Sequence, residues 1–174
     1  MLKGVGCEYV IIGHSERRQY FHETNESVNK KVKAALKHGL TPIMCVGETL
    51  AEREKDKTFD VLKDHVNNGL SGLTSQEALK IVIAYEPVWA IGTGKTATPA
   101  QAQEAQKYIR DLLIKLYNKD TASSIRIQYG GSVKPENIEE IMMQPDVDGA
   151  LVGGASLKVE SFSEIIKKAY KVEK

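Results

Sequence analysis

The sequence predicts an α/β fold built on a parallel sheet, and two observations carry that reading. Short apolar runs begin at residues 9, 42, 81, 125 and 149, with helical patterns between them. Their spacings of 33, 39, 44 and 24 residues are those of βαβ units, in which crossover helices join parallel strands. Two architectures satisfy this pattern: an open doubly wound sheet, or part of a (β/α)₈ barrel, whose full form needs about 250 residues.

The expected strands are Tyr9–Gly13, Pro42–Gly47, Ile81–Tyr85, Ile125–Gly130 and Gly149–Gly153. Three are almost continuously apolar, as in parallel strands covered on both faces. Ile125–Tyr129 alternates, which places polar groups toward a polar interior layer or marks an edge strand. Val28, Val32, Ala35 and Leu36 recur at helical spacing between Thr24-Asn25 and Gly39. Phe59, Leu62 and Val66 mark a helix over 58–67. Thr98, Pro99 and Gln101 are a capping box with proline at N1, opening a helix whose buried face runs from Ala102 to Leu116. Phe162, Ile165, Ile166 and Ala169 mark a last helix over 161–172.

Composition narrows the function. Across 174 residues, 24 Lys+Arg stand against 23 Asp+Glu, a formal charge of +1. That balance excludes a dedicated nucleic-acid binder, which carries a strong basic excess. No apolar run reaches the roughly 20 residues that span a bilayer, and the first residues lack the apolar core of a secretory leader. Cys7 and Cys45 have no paired spacing, and free thiols in a reducing, cytoplasmic setting are expected.

In parallel α/β folds, working residues gather at the C-terminal ends of strands. Those ends read Gly13-His14-Ser15-Glu16, Gly47-Glu48, Glu86-Pro87, Gly130-Gly131-Ser132 and Gly153-Gly154. Gly-Gly pairs at two successive exits suit an anion, because backbone N–H groups can approach it closely and Ser132 adds a hydroxyl. Glu86 and His14 form an acid/base pair suited to proton abstraction beside a carbonyl. A helix starting at Ser15 would place amides near His14 and disfavour its protonation. His22, His38 and His65 have no ligand spacing and read as surface residues; no metal site is indicated.

Gly94-Lys95-Thr96 resembles the end of a Walker A loop, but that pattern requires glycine where Trp89 stands. The segment Pro87–Ala97 reads instead as a mobile lid between two hinges, excluding water from the cleft.

The stretches Tyr9–Arg18 (YVIIGHSERR), Ala84–Ala97 (AYEPVWAIGTGKTA), Tyr129–Val133 (YGGSV) and Asp148–Leu157 (DGALVGGASL) resemble the triosephosphate isomerase family along the whole chain. The resemblance implies a (β/α)₈ TIM barrel, here a partial barrel of about five βα units forming a single domain over 1–174. It implies cofactor-free interconversion of dihydroxyacetone phosphate and glyceraldehyde 3-phosphate through an enediolate. Glu86 matches the base and His14 the neutral electrophile, a division of roles already known for this family. Glu16 matches a position near the site. Gly92, Ser132, Gly153 and Gly154 match the phosphate-binding positions, with no metal and no cofactor. The implied partners are a small phosphorylated triose and a second copy in a homodimer, with neither nucleic acid nor membrane.

The resemblance reaches only the family's last five units. The lysine and asparagine that hold the substrate oxygen have no counterpart: Lys3 precedes the first strand and Lys95 lies in the lid. The alternative expectation is therefore a catalytically inactive fragment that persists by self-association or complementation.

Overall fold

A computed structural model describes residues 1–91 and 95–172. Its strands are β1 (Tyr9–Ile12), β2 (Thr41–Val46), β3 (Val82–Tyr85), β4 (Arg126–Tyr129) and β5 (Gly149–Ala150). The helices are α1 (Ser15–Phe21), α2 (Asn25–Lys37), α3 (Leu50–Arg53), α4 (Thr58–Gly69), α5 (Ser75–Ala78), α6 (Pro99–Leu116), α7 (Lys119–Ser124), α8 (Ile138–Met142) and α9 (Val159–Tyr170). Each strand pairs in parallel with the next, in the order β1-β2-β3-β4-β5. A doubly wound sheet reverses its order at a switch point. The unbroken sequence is that of a barrel wall, here five strands of it.

The expected caps form. Thr24 accepts from Ser27 N to open α2, and Thr98 accepts from Gln101 N to open α6 with Pro99 at its first position. The short helices α3 and α5 were not foreseen, although Thr49-x-x-Glu52 and Thr74-x-x-Glu77 are capping boxes of the same kind. Helix α9 begins at Val159, two residues earlier than its apolar spacing indicates.

The core lies between the sheet and its helices. Val28 and Val32 of α2, Leu62 and Val66 of α4, and Ile109 and Leu113 of α6 are all fully buried in one cluster with Ile83 and Ile127 of the strands. Ile127 and Tyr129 point into this cluster, so by the pleat Gln128 faces the opposite, inner side. That settles the alternating run: β4 is an interior strand with a polar inward residue, not an edge.

Two strand expectations change. The first run is not covered on both faces, because Tyr9 and Ile11 are exposed while Ile12 is buried against the helices. The last strand is only two residues long, since it pairs with β4 at Gly149 and Ala150 and the chain then turns into the Gly153-Gly154 exit. No helix among the described residues is long and apolar enough to cross a membrane. Cys7 and Cys45 are both unbridged thiols.

Candidate active site

Strand exits of β1, β3, β4 and β5 converge on one cleft of about 380 Å³, lined by His14, Glu86, Ser132, Gly153 and Gly154 among others. The ladder delivers them. Glu86 N donates to Val46 O at 2.8 Å and Gly130 N to Tyr85 O at 2.7 Å, so hydrogen bonding continues to the last residue before each exit.

His14 and Glu86 meet directly. His14 Nε2 lies 2.9 Å from Glu86 Oε1, with the imidazole half-buried and the carboxylate only 3% exposed. His14 is the N-cap of α1, and its Nδ1 accepts from Glu16 N at 3.4 Å. That bond assigns the ring proton to Nε2, which donates to Glu86. Ser15 holds the carboxylate from the other side, donating through its backbone N at 3.1 Å to Oε2 and through its hydroxyl at 3.5 Å to Oε1.

The electrostatics of His14 differ from the sequence expectation. Its pKa is raised: the hydrogen bond to Glu86 outweighs burial, and the Glu86 and Glu16 charges add to it. Helix-end amides therefore do not set the balance while Glu86 is in contact.

The strands β1 and β3 are not neighbours, and their side chains meet across the end of β2. Gly47 follows that strand, and a Cβ there would stand 1.7 Å from Glu86 O. Beneath Glu86 lies Cys45, whose thiol is pushed well up by burial and by the Glu86 carboxylate, so it stays protonated.

The Gly130–Ser132 exit is equally tight. A Cβ on Gly131 would fall 2.2 Å from the Tyr129 hydroxyl and 2.9 Å from Pro87 Cγ. Asn137 Nδ2 donates to Ser132 O at 3.0 Å and fixes the loop. Gly153 and Gly154 are exposed, with open space where a Cβ would be. Lys134, not foreseen, adds a cation to this wall.

Glu16 is brought near the site by its backbone only; its side chain is exposed and does not line the cleft. Gly92 lies outside the described residues, as do Thr93 and Gly94 of the expected lid. The start of the expected lid is described. Val88 N donates to Glu48 O at 3.1 Å, and Val88–Ala90 form one 3₁₀ turn. Trp89 Nε1 donates to Glu48 Oε1 at 2.8 Å, beneath the Arg53 guanidinium 4.5 Å from the indole centroid.

One histidine is misplaced by the sequence reading. His22 and His38 are exposed, but His65 is largely buried and accepts from Gly47 N at 3.4 Å. Burial lowers its pKa to about 4, helped by the Arg18 charge. Its position three residues after Leu62 and one before Val66, both fully buried, was the available signal. Among the described residues, no cluster of three or more His, Cys, Asp or Glu side chains is arranged to hold a metal ion.

Strands laid side by side in chain order, with the polar groups of the cleft at their C-terminal exits, place this chain among the (β/α) barrel proteins. The family model described as triosephosphate isomerase matches residues 1–169. The chain belongs to the triosephosphate isomerase family. It is 62% identical over 167 residues to the triosephosphate isomerase of Carboxydothermus hydrogenoformans, covering 96% of this chain and 66% of the relative. The Geobacter metallireducens protein of the same name is 63% identical over 166 residues, covering 95% of this chain and 66% of the relative. That of Endomicrobium trichonymphae is 59% identical, with 96% and 66% covered. The chain thus spans 66% of the length of these curated relatives.

Proposed function

We propose that this chain carries the chemistry of an aldose–ketose isomerase acting on a triose phosphate, interconverting dihydroxyacetone phosphate and glyceraldehyde 3-phosphate. The observation that carries the reading is the 2.9 Å contact between His14 Nε2 and Glu86 Oε1 at a cleft walled by Ser132, Gly153 and Gly154. Glu86 takes a proton from the carbon beside the carbonyl and returns it to the adjacent carbon. His14, with its proton on Nε2, donates to the carbonyl oxygen as negative charge develops there, and the imidazole recovers a proton from the neighbouring hydroxyl as that oxygen becomes the new carbonyl. Substrate oxygen replaces Glu86 as the partner of His14, which removes the contact that raises the imidazole pKa and favours the neutral ring. Ser132 and the backbone of Gly153 and Gly154 hold the phosphate, with Gly92 assigned to the same role and Glu16 to the edge of the site. No cofactor enters this scheme.

Proton NMR of the chain with glyceraldehyde 3-phosphate in heavy water tests the reading. Conversion to dihydroxyacetone phosphate above the spontaneous rate, abolished in Glu86→Gln, supports it; conversion at the spontaneous rate defeats it. A donor to the developing oxyanion contributes about 10²–10³ in rate, the part assigned here to His14.

Residues 1–174 are read as one domain that associates with a protein partner, a second copy being the family expectation. Tyr9 and Ile11 on the inner face of β1, and Ile166 and Tyr170 on α9, are exposed apolar side chains that favour such contact. Sedimentation velocity tests this, a monomer at high concentration counting against it. The two free thiols support a reducing, cytoplasmic compartment.

A further inference from the structure

We propose that Glu23 and Arg18 are positioning residues, which clamp the Gly13 peptide from opposite sides and so hold the His14 ring against Glu86. The clamp deepens the functional reading above and rests on it for the role given to His14.

Gly13 is the joint between β1 and the imidazole. Its φ is +73°, a conformation that glycine adopts without strain and without side-chain anchoring. Its two peptide groups are both taken. Gly13 N donates to Glu23 Oε2 at 3.0 Å, and Gly13 O accepts from Arg18 Nε at 2.9 Å. The next residue is His14.

Glu23 is not among the residues that line the cleft, yet its side chain is only 4% exposed. A buried carboxylate is costly unless it is paired. Here Oε1 accepts from Arg17 Nε at 2.9 Å and from the Lys31 ammonium, leaving Oε2 for the Gly13 amide. These cations more than offset the effect of burial and hold the carboxyl below its ordinary range, so it is charged at neutral pH.

A second, independent feature delivers Glu23 to this place. His22, immediately before it, closes α1 with φ +52°, a left-handed conformation that is strained for a residue with a side chain. The turn brings Glu23 N back to Arg17 O at 3.3 Å and points the side chain under β1. Local strain at His22 is held by what it places.

Arg18 ties the same peptide to the rest of the wall. Its Nη1 donates to Asn25 Oδ1 at 2.7 Å and its Nη2 to Cys45 O on β2 at 3.4 Å. One guanidinium thus fixes the β1 exit relative to β2 and to the start of α2. Since the ring must reach across β2 to Glu86, a small rotation at Gly13 would open the 2.9 Å contact.

The imidazole nitrogen spectrum of His14, followed against pH in the full chain, reads this contact without requiring turnover. The charged groups facing the ring are Glu86 and Glu16, and both remain in every variant. Glu23→Gln keeps an oxygen for Gly13 N and retains the parental His14 midpoint. Glu23→Met, of similar volume without an acceptor, moves the midpoint down toward the ordinary value of about 6.5. Arg18→Lys keeps the charge, loses the Nε bond to Gly13 O, and moves it in the same direction. In the Glu23 variants His65 keeps its own midpoint as an internal control; in Arg18→Lys it does not serve, because the Arg18 charge acts on that ring.

A parental His14 midpoint in Glu23→Met overturns the clamp. If that variant does not fold, Arg18→Lys decides, and an unchanged midpoint there overturns it equally. A Glu23→Gln midpoint displaced as far as that of the methionine variant also overturns it, because the effect then belongs to the ion pairs with Arg17 and Lys31. Isomerisation of glyceraldehyde 3-phosphate is measured in parallel. Absence of turnover in the parent, with the midpoints moving as stated, defeats the functional reading and supports the clamp.

Discussion

The indole of Trp89 and the carboxylate of Glu48 are joined by a 2.8 Å hydrogen bond at the start of the Pro87–Ala97 segment. Glu48 is wholly buried, and it also accepts from the Tyr85 hydroxyl at 3.1 Å and from Arg53 Nη1 at 3.0 Å. The loop that leaves β2 thus anchors the segment that follows β3. Removing a single donor from a buried carboxylate typically costs about 1–3 kcal/mol. Trp89→Phe is therefore expected to lower unfolding stability by that amount in urea titrations, with the sheet intact by circular dichroism.

Gly47 sets a sterner limit. Alanine there would place its Cβ 1.7 Å from the Glu86 carbonyl oxygen, which is backbone and cannot swing aside. Gly47→Ala must push the β2 and β3 exits apart, at a cost of about 3 kcal/mol or more for overpacking at a rigid contact. The measurement is the denaturation midpoint, together with the His14 ring shift, which should lose its Glu86 signature.

Glu86→Gln should leave the fold standing, since the amide can still bond Ser15, while removing the base. General-base catalysis contributes about 10²–10⁴ in rate. Turnover of glyceraldehyde 3-phosphate is expected to fall by at least the lower figure, with affinity for inorganic phosphate retained. Equal turnover in parent and variant would remove Glu86 from the mechanism.

Acid stability should bear the mark of two histidines with opposite signs. His65 titrates near 4 in the folded chain and near 6.5 unfolded, so the unfolded state takes up the proton first as pH falls. Stability contributed by the neutral ring is present above 6.5 and is lost between 6.5 and 4, on the order of 3 kcal/mol in full. His14 runs the other way: its raised pKa gives a contribution fully present below 6.5 and lost as pH rises through the folded value. Chemical denaturation at pH 7, 5.5 and 4 checks the first term. His65→Gln should flatten the fall between pH 7 and 4, and an unchanged slope would refute the assignment.

The regions of this molecule that were legible in its sequence are those governed by local rules. Strand exits, the helix start at Thr24-Asn25, the capping box at Thr98, and the Gly-Gly pairs each follow from neighbours a few residues away. His14, Glu86, Ser132, Gly153 and Gly154 could be assembled because strand ends share one side of a parallel sheet. Glu23 could not, since it belongs to no periodic segment and its partner Gly13 is ten residues back across a left-handed turn. Glu48 stood at a strand exit, but its role needed Trp89, Tyr85 and Arg53 from three other places in the chain. The direction of the His14 shift was missed for a similar reason. A helix end is visible in sequence, whereas a carboxylate 2.9 Å away is a product of the folded wall.

That last contact has a bearing on selectivity. The donor on His14 and the acceptor on Glu86 satisfy one another, so neither is offered to a passing molecule. Separating them leaves an unmatched N–H and a carboxylate oxygen held only by the Ser15 hydroxyl at 3.5 Å, and a guest must answer both at once. In the reaction proposed above, a carbonyl oxygen answers the ring N–H while the C–H beside it yields its proton to the carboxylate. On the function proposed above, discrimination begins before any proton moves, in the work of separating a pair of side chains already content together.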